Sequence, residues 1–441
     1  MKKWIWLALF SCGVAHADML EALQAYETKN FNVAERQFEE LLPLGNELAA
    51  FNLGVMAYQG EGQQADLTKA LGYFMLAAEL QHEQAEDILE KLSAKATQQQ
   101  LEEAKTNFDL LKSQVVITAR KLEQVEEAER PTPIERKLPK YPKEAERAGQ
   151  FGYVVLRFLV DEQGEVGAID ILDSFPEKVF DKSAVKALKR WRYEPGHEKK
   201  EVRLHLDYSL SGAIYLSQVE KFMVDNNVWE YAAAGAQNYQ FALGTLLNML
   251  EIQSRNYLSF NPDLPLAAAP DFDIYKKFSK VKFDVEGFEG FEGSVIVRVA
   301  ADGTITEQIE DNISDRSEMR NVIGKKLNGD IENDIYRLYK TSLDDNTPVR
   351  VMPVVETSRS MSAMFWWKQA AKNGDLAAQR VLAARITQWE DYLLAQEDPQ
   401  VMAWKGTRLL LDGQHDQGMS LLDQAIAKNY GPAKEMKKMF M

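Results

Sequence analysis

The chain has little cysteine and histidine, fewer basic than acidic residues, and no long apolar run. Each of these shortages argues against a class of protein. Its 441 residues include one cysteine, Cys12, which falls in an N-terminal segment that we expect to be removed. The mature protein would then have no thiol for a disulfide. The apolar run from Trp4 to Phe10 is too short for a membrane-spanning helix, which takes about 20 residues. The net charge of −15 argues against general nucleic-acid binding.

Signatures of catalysis and metal binding are missing as well. Four histidines follow residue 17, and none has a second candidate ligand at the i, i+4 spacing of helical metal sites. They are His82, His197, His205 and His415. The sequence also has no Gly-x-Ser-x-Gly motif and no phosphate-binding loop. We therefore predict a protein that is not an enzyme and needs no cofactor and no metal.

The N-terminus has the layout of a secretory signal. "MKKWIWLALFSCGVAHADM" combines two lysines, a short apolar run and the small-x-small stretch Ala15-His16-Ala17, which predicts cleavage after Ala17. We expect residues 1–17 to be a signal peptide and the mature protein to lie in the periplasm without an integral membrane segment. Two alternatives remain open, a lipoprotein site at Cys12 and an uncleaved signal anchor.

Residues 18–95 carry the pattern of paired helices. Gly60-Glu61-Gly62 interrupts the chain, and Tyr73-Phe74-x-x-Ala77-Ala78 then forms one apolar helix face. The same pattern returns at Trp366-Trp367-x-x-Ala370-Ala371 and, more weakly, from Trp229. Such self-similarity is typical of helical-repeat arrays. The segment resembles the Sel-one-like branch of the tetratricopeptide superfamily.

Other segments have the same helical texture. Residues 213–260 and 358–441 are predicted to be further helical-repeat segments, and partner binding in such arrays uses the grooves between repeats. Residues 96–130 are predicted to be a polar spacer helix that stops before Pro131 and Pro133.

Residues 131–212 change to a β-rich texture. The β-branched and aromatic run from Phe151 to Val160, a turn, and a second run from Glu165 to Leu172 predict a hairpin. A helix from Asp181 to Trp191 follows, with its apolar positions on one face. Apolar and polar side chains then alternate from Val202 to Leu210, which predicts a strand with one exposed face. The expected order is strand, strand, helix, strand.

Three motifs fall in register along this segment. They are "KYP" with Tyr141 and Pro142, "AERAGQFGYVVLRFLVDEQGEV", and "FDKSAVKALKRWRYEP", in which Trp191 and Tyr193 are expected to fill the core. On these motifs, residues 131–212 resemble the C-terminal domain of the TonB family of energy transducers. The resemblance implies that the domain recognises an extended peptide of an outer-membrane transporter by pairing it with the edge of its sheet.

Elementary physics also favours a binding edge. A three-stranded sheet covered by one helix leaves an edge strand whose unpaired backbone groups accept an added strand. The candidate partner-binding residues are Tyr141, Pro142, Val202, Arg203, Leu204, His205, Leu206, Asp207 and Tyr208. The alternative is an edge capped by neighbouring helices or by dimer formation.

The helix of this domain also carries a basic side. Lys186, Lys189, Arg190 and Arg192 are expected to form mainly a solvated face, with cations suited to the end of a helix. They are also a possible contact face for peptidoglycan, which would make the protein a cell-wall-binding structural protein.

Residues 261–357 are predicted to hold a linker and a degenerate copy of the same domain. "FEGSVIVRVAADGTITEQIEDNI", Phe291 to Ile313, parallels the first hairpin, and Gly293 takes the place of Gly152. Residues 316–330 would be its helix and residues 347–357 its third strand. The fold class is thus α+β and multidomain, with helical repeats flanking one clear and one degenerate ββαβ domain.

These features predict a periplasmic, non-enzymatic protein-interaction scaffold. The cleavable N-terminus and the few prolines before the TonB-like domain differ from a transducer, which anchors in the inner membrane and spans the periplasm. An accessory role in TonB-type transduction or outer-membrane transport is therefore expected. Its partners would be an outer-membrane transporter peptide or subunits of the transduction complex. A true transducer with an uncleaved anchor is the alternative.

Overall fold

The computed structural model describes most of the chain after residue 17. The described ranges are 18–118, 131–196, 198–210, 215–254, 256–276, 284–285, 287–344 and 347–441. The predicted signal peptide, the second part of the predicted spacer helix and His197 lie outside these residues. Among the described residues, no helix is both long and apolar enough to cross a bilayer.

The chain divides into two compact units. One unit contains the chain up to residue 214 together with Glu230–Ala242 and Trp367–Met441, and the other contains Tyr215–Trp229 and Leu243–Trp366.

The first unit begins with helices, as the sequence predicts. They are α1 (Met19–Glu27), α2 (Phe31–Leu41), α3 (Glu47–Gln59), α4 (Leu67–Glu79), α5 (Ala85–Ser93) and α6 (Gln98–Gln114). Helices α3 and α4 lie so close that a Cβ atom added to Gly54 would come within 2.9 Å of the Phe74 ring. The absence of a side chain at Gly54 therefore lets these two helices approach closely.

In the described part of the predicted spacer segment, α6 starts two residues after the predicted boundary and ends at Gln114. Helix α5 ends at Ser93, and a reciprocal pair of hydrogen bonds starts α6: the Gln100 N–H donates to Thr97 Oγ1 at 3.3 Å, and the Thr97 N–H donates to Gln100 Oε1 at 2.9 Å. This capping box satisfies N–H groups that a new helix leaves without partners. The Thr-x-x-Gln signature is visible in the sequence and locates the start of α6.

The TonB-like segment folds in the predicted order, with two short additions. Its elements are β1 (Pro133–Glu135), α7 (Lys143–Arg147), β2 (Gly152–Val160), β3 (Val166–Phe175), α8 (Asp181–Leu188), β4 (Arg192–Tyr193) and β5 (Lys200–Tyr208). The strands β3, β2 and β5 form an antiparallel sheet in that order, with β2 central. Helix α8 ends three residues before the predicted Trp191, because Arg192 and Tyr193 instead pair with β1.

The core of this domain lies between the sheet and α8. It is formed by the side chains of alternate sheet residues, of α8 and of the two aromatic residues after it: Val154, Leu156, Phe158, Val160, Phe180, Leu188, Trp191 and Tyr193. Trp191 and Tyr193 are 5% and 3% exposed, which confirms their predicted place in the core.

Four helices, the strands of a second sheet and two short strands that pair with each other follow. They are α9 (Leu216–Asp225), α10 (Val228–Ala233), α11 (Gln237–Gln253), β6 (Tyr257–Asn261), α12 (Asp273–Lys276), β7 (Asp284–Val285), β8 (Gly293–Val299), β9 (Ile305–Ile313), β10 (Leu327–Asn328), β11 (Ile335–Lys340) and β12 (Arg350–Ser358). Residues 257–260, predicted as the end of a helical segment, are strand because β6 pairs in parallel with β12.

The second sheet differs from the predicted degenerate copy. Its strand order is β6-β12-β11-β8-β9. The predicted hairpin is confirmed as β8 and β9, but the predicted helix over 316–330 is wrong. That segment is held by bonds to distant backbone, such as Glu318 N–H to the Gly290 carbonyl and Leu327 N–H to the Gly303 carbonyl, both 2.8 Å. The predicted third strand exists as β12, but β11 takes the place beside β8.

The chain ends in helices, as predicted for residues 358–441. They are α13 (Ala363–Lys372), α14 (Leu376–Ala383), α15 (Thr387–Ala395), α16 (Pro399–Leu411), α17 (His415–Ala427) and α18 (Gly431–Met439). Within the first unit, buried amides link the N-terminal helices to the C-terminal ones. Asn46 Nδ2 donates to Asn373 Oδ1, and Asn373 Nδ2 donates to Gln240 Oε1, both at 2.8 Å.

Gly152 supports a stability prediction. A Cβ atom there would lie 1.7 Å from the Phe175 carbonyl oxygen of the paired strand, so the backbone would have to move. We expect G152A to lower the free energy of unfolding by about 3 kcal/mol or more, measured by urea titration. The control G431A should stay within about 0.5 kcal/mol, because a Cβ at Gly431 meets nothing within 4 Å. Equal stability of the two variants would contradict the packing described for β2.

Candidate partner-binding site

Strand β5 lies at one edge of the three-stranded sheet. It pairs with β2 from Gly152 opposite Tyr208 to Val160 opposite Lys200. In the sheets formed by the described residues, β5 has no second neighbouring strand. The predicted edge strand is therefore in place, and it begins and ends two residues earlier than predicted.

The apolar side chains of β5 belong to the core. Val202 and Tyr208 are 6% and 2% exposed, whereas Leu204 and Leu206 are partly buried against the same cluster. Tyr141 packs edge-on against Tyr208, with ring centroids 6.0 Å apart.

Tyr141 and Pro142 fix the segment before the sheet. The Tyr141 hydroxyl donates to the Gln150 carbonyl, and Pro142 precedes the first residue of α7. The ring of Tyr141 also packs edge-on against Phe180 at 5.4 Å. The structure thus gives Tyr141 a packing role, beside the strand whose edge is the candidate site.

The polar face of β5 was expected to be exposed, and most of it is not. Glu201 receives two hydrogen bonds from the buried Arg157 guanidinium, at 2.7 and 2.8 Å. Although burial acts to raise it, the neighbouring Arg157 holds the pKa of Glu201 below its usual value. The Arg203 guanidinium lies 3.5 Å from Glu201, and the His205 ring stacks on Tyr153 at 4.7 Å.

Asp207 is the exposed member of this row. Its side chain is 47% exposed, and one carboxylate oxygen lies 2.9 Å from His205 Nε2. It lies next to the last residue of β5. Among the predicted site residues on the polar face, it is the one most accessible to an added strand.

The C-terminal helices cover the sheet face opposite α8. The Arg157 guanidinium lies over the Trp404 ring of α16, 4.1 Å from its centroid. Asp170 of β3 is 6% exposed. Its carboxylate accepts from Trp404 Nε1 at 2.7 Å and from Gln400 Nε2 at 2.8 Å. These contacts join α16 to the sheet, and through Arg157 they hold Glu201 on the polar face of β5 away from solvent.

The two edges of the sheet therefore differ. At β3, Gln400 Nε2 lies 3.4 Å from the Ile171 carbonyl oxygen, and Met439 of α18 packs so closely that a Cβ on Gly167 would come within 2.7 Å of its sulfur. Ala168 belongs to the same apolar cluster as residues of α16 and α18. The C-terminal helices thus pack along β3, whereas β5 keeps a strand edge.

Asp173 is a second buried carboxylate on this face. It is 9% exposed and accepts a hydrogen bond from the Tyr153 hydroxyl. Burial raises its pKa to about 6, against the opposing effects of the Tyr153 bond and of the His205 and Arg385 charges.

The basic residues predicted on the domain helix separate into two groups. Lys186, Lys189 and Arg190 are exposed on or just after α8. Arg192 is half-buried in β4, and its guanidinium lies 3.4 Å from Glu165.

Sequence reasoning missed Asp170, Gln400 and Trp404. The signal was a charged residue inside an otherwise apolar strand, Arg157 in "GYVVLRFLV", which indicates a buried partner. Its partners could not be named, since Trp404 is 234 positions away from Asp170. Within the described residues, no group of three or more histidine, cysteine or acidic side chains could hold a metal ion.

Comparisons with known proteins found a family match for this region of the chain. Residues 137–210 match the family model of the Gram-negative bacterial TonB protein C-terminal domain. These residues are a TonB C-terminal domain. Protein TonB of Escherichia coli (strain K12) is 30% identical over 82 residues, which are 19% of this chain and 34% of that protein. Protein TonB of Pseudomonas aeruginosa is 33% identical over 63 residues, 14% of this chain and 18% of that protein.

The chain thus spans about a third of the length of the first relative and less of the second. A solved structure, the solution NMR structure of the Pseudomonas aeruginosa TonB CTD, shares 25% identity over 19% of this chain and 89% of that chain, with a TM-score of 0.17. Outside this domain the structure has helical regions and a second sheet. The comparisons do not support assigning the helices to a repeat family.

The Asp170–Trp404 contact supports a prediction about the junction of sheet and C-terminal helices. W404F removes a hydrogen bond to a buried carboxylate, so we expect the free energy of unfolding to fall by about 2 kcal/mol. With D170A and the double variant, urea titrations give a double-mutant cycle, whose expected coupling energy is at least about 1 kcal/mol. Additive effects, within about 0.3 kcal/mol, would show that the two side chains do not interact.

Asp173 supports a pH prediction. Its pKa is about 6 in the folded protein and 3.8 as an ordinary value, so the folded state holds this proton more tightly. Relative to D173N, the wild type should therefore lose stability as the pH rises from about 4 to about 6, by up to about 3 kcal/mol, and change little above. Urea titrations of both proteins across this range measure the difference. Parallel curves would contradict the burial of a protonated Asp173.

Proposed function

We propose that this chain is a periplasmic, non-enzymatic protein-interaction scaffold that accompanies TonB-type energy transduction or outer-membrane transport. Its TonB C-terminal domain binds an extended segment of a partner by strand addition to β5. The observation that carries this proposal is the difference between the two sheet edges: helices α16 and α18 pack along β3, while β5 has one strand neighbour among the described residues. The partner is a peptide of an outer-membrane transporter or a subunit of the transduction complex.

Strand addition suits the chemistry of this edge. An edge strand has alternate N–H and C=O groups that point away from the sheet, and an added peptide satisfies them with its own backbone. The half-buried Leu204 and Leu206 on one face, and the exposed Asp207 on the other, flank the backbone with which such a peptide would pair. The backbone would provide affinity and these side chains selectivity.

The helices make the domain part of a larger body. Helix α16 reaches the sheet through Trp404, and the buried amides of Asn46, Asn373 and Gln240 join the N-terminal helices to the C-terminal ones. Grooves between the helices of such a scaffold would bind further protein partners. The sheet edge would bind one extended segment.

A cell-wall-binding protein is the alternative function. It would use the exposed lysines of α8 rather than β5, and it predicts retention on purified peptidoglycan that does not change when the β5 edge is altered.

Crosslinking in cells tests the proposal. A photoreactive amino acid at Asp207, next to the end of β5, should crosslink to an outer-membrane transporter or to a subunit of the transduction complex, identified by mass spectrometry. The matched control is the same group at Gln163, an exposed position in the β2–β3 turn of the same domain, where no such crosslink is expected.

Two results would contradict strand addition at β5. One is a set of crosslinks from Asp207 that stay within the chain or reach only a second copy, which would mean that the edge is covered. The other is the same partner at Asp207 and Gln163, which would move the contact to a different surface of the domain.

A further inference from the structure

Two segments of the TonB C-terminal domain form a basic surface on an acidic protein. Residues 136–143 and 182–190 contain eight lysines and arginines and no aspartate or glutamate, while the whole chain has a net charge of −15. The structure brings the two segments together. Trp191 Nε1, just after α8, donates to the Lys137 carbonyl at 2.9 Å, and the Ser183 hydroxyl of α8 donates to the Lys140 carbonyl.

Six of these eight cations have no ion pair among the described residues, although Arg136 lies over the Trp191 ring, 5.6 Å from its centroid. Lys137 lies 2.6 Å from Glu135, and Lys189 lies 3.9 Å from Glu435, so these two are partly neutralised. The remaining exposed cations are named here the basic face: Arg136, Lys140, Lys143, Lys182, Lys186 and Arg190. Lysines 182 and 186 are one helical turn apart and therefore lie on the same side of α8.

An apolar side chain projects within this basic surface. Leu138 is 88% exposed, the highest value for a leucine among the large exposed apolar residues. Its backbone is held on both sides, at Lys137 and at Lys140, by the hydrogen bonds from Trp191 and Ser183. Pro139 directly follows it and restricts Leu138 to extended backbone. The backbone around Leu138 is thus fixed, and its side chain projects into solvent instead of packing in the core.

We propose that the basic face and Leu138 together bind the surface of a phospholipid bilayer that contains anionic lipids. Lysine and arginine near an anionic bilayer are attracted to its headgroups, and an exposed aliphatic side chain gains free energy by entering the interface. Charge complementarity alone would also suit a polyanionic polymer. The exposed Leu138 favours the bilayer, because a hydrated polymer offers no apolar region for it. This contact is separate from the strand edge of β5 and does not depend on the proposed function.

Vesicle sedimentation tests the proposal with the chain beginning at Asp18, the first residue after the predicted signal peptide. At about 0.1 M salt, where charges act over about 10 Å, the protein should sediment with vesicles in which about a third of the lipid is phosphatidylglycerol. It should remain in solution with pure phosphatidylcholine.

Charge removal gives the first comparison. The variant K140Q/K143Q/K182Q/K186Q should bind the anionic vesicles more than about a hundredfold more weakly, at about fivefold for each lysine near the surface. The matched control, K91Q/K95Q/K105Q/K434Q, loses the same charge at exposed positions outside the basic face and should change binding by less than about threefold. Thermal unfolding of all variants verifies that they fold.

Leu138 gives the second comparison. L138S should weaken binding to the anionic vesicles about fivefold or more, whereas L110S, at a leucine that is 61% exposed on α6, should not. The proposal is overturned if the wild type fails to bind anionic vesicles, or if both lysine variants lose binding equally. It is also overturned if L138S binds like the wild type while soluble peptidoglycan fragments compete with the vesicles, since the partner would then be an anionic polymer.

Discussion

A three-stranded sheet with one helix buries only one of its faces, and the structure of the first unit depends on how the other face is covered. In this chain helix α16 covers it, with Arg157 placed between Glu201 and the ring of Trp404 and with Asp170 bonded to Trp404 and Gln400. Charged groups in such a place are stable only when they are fully paired, and removal of one partner of a buried pair costs about 3–5 kcal/mol. The TonB C-terminal domain and the C-terminal helices are therefore one folded body.

This arrangement determines which edge of the sheet stays without a packed helix. The central strand β2 is buried on both faces, and helices α16 and α18 pack along β3. The sheet consequently offers its β5 edge. Under the proposed function, the helices that stabilise the sheet would also determine which of its edges a partner strand can join.

The local part of this fold could be predicted from the sequence, and the long-range part could not. The hairpin, the helix and the burial of Trp191 and Tyr193 follow from patterns within a few residues. Alternation along β5 correctly separated Val202 and Leu204 from Arg203, but it cannot tell whether a polar face meets water or a charged partner. On β5 the charged partner of Glu201 is Arg157, whose guanidinium packs on Trp404, far away in the sequence.

The second sheet shows the same limit. The hairpin after Gly293 was predictable, because its turn and its alternation are local. Residues 316–330 have enough helix-forming side chains to suggest a helix, yet their backbone bonds to Gly290 and Gly303 in other segments. Tertiary bonds of this kind outweigh helix propensity, which amounts to less than about 1 kcal/mol per residue.

Hydrogen exchange of the backbone amides of β5 in the isolated protein tests the central claim most directly. If this edge is free, every second amide between Lys200 and Tyr208 points to solvent and should exchange quickly, while the amides between them, bonded to β2, are protected. Protection of all amides along β5 would show that the edge is already covered, and strand addition at β5 would then be ruled out.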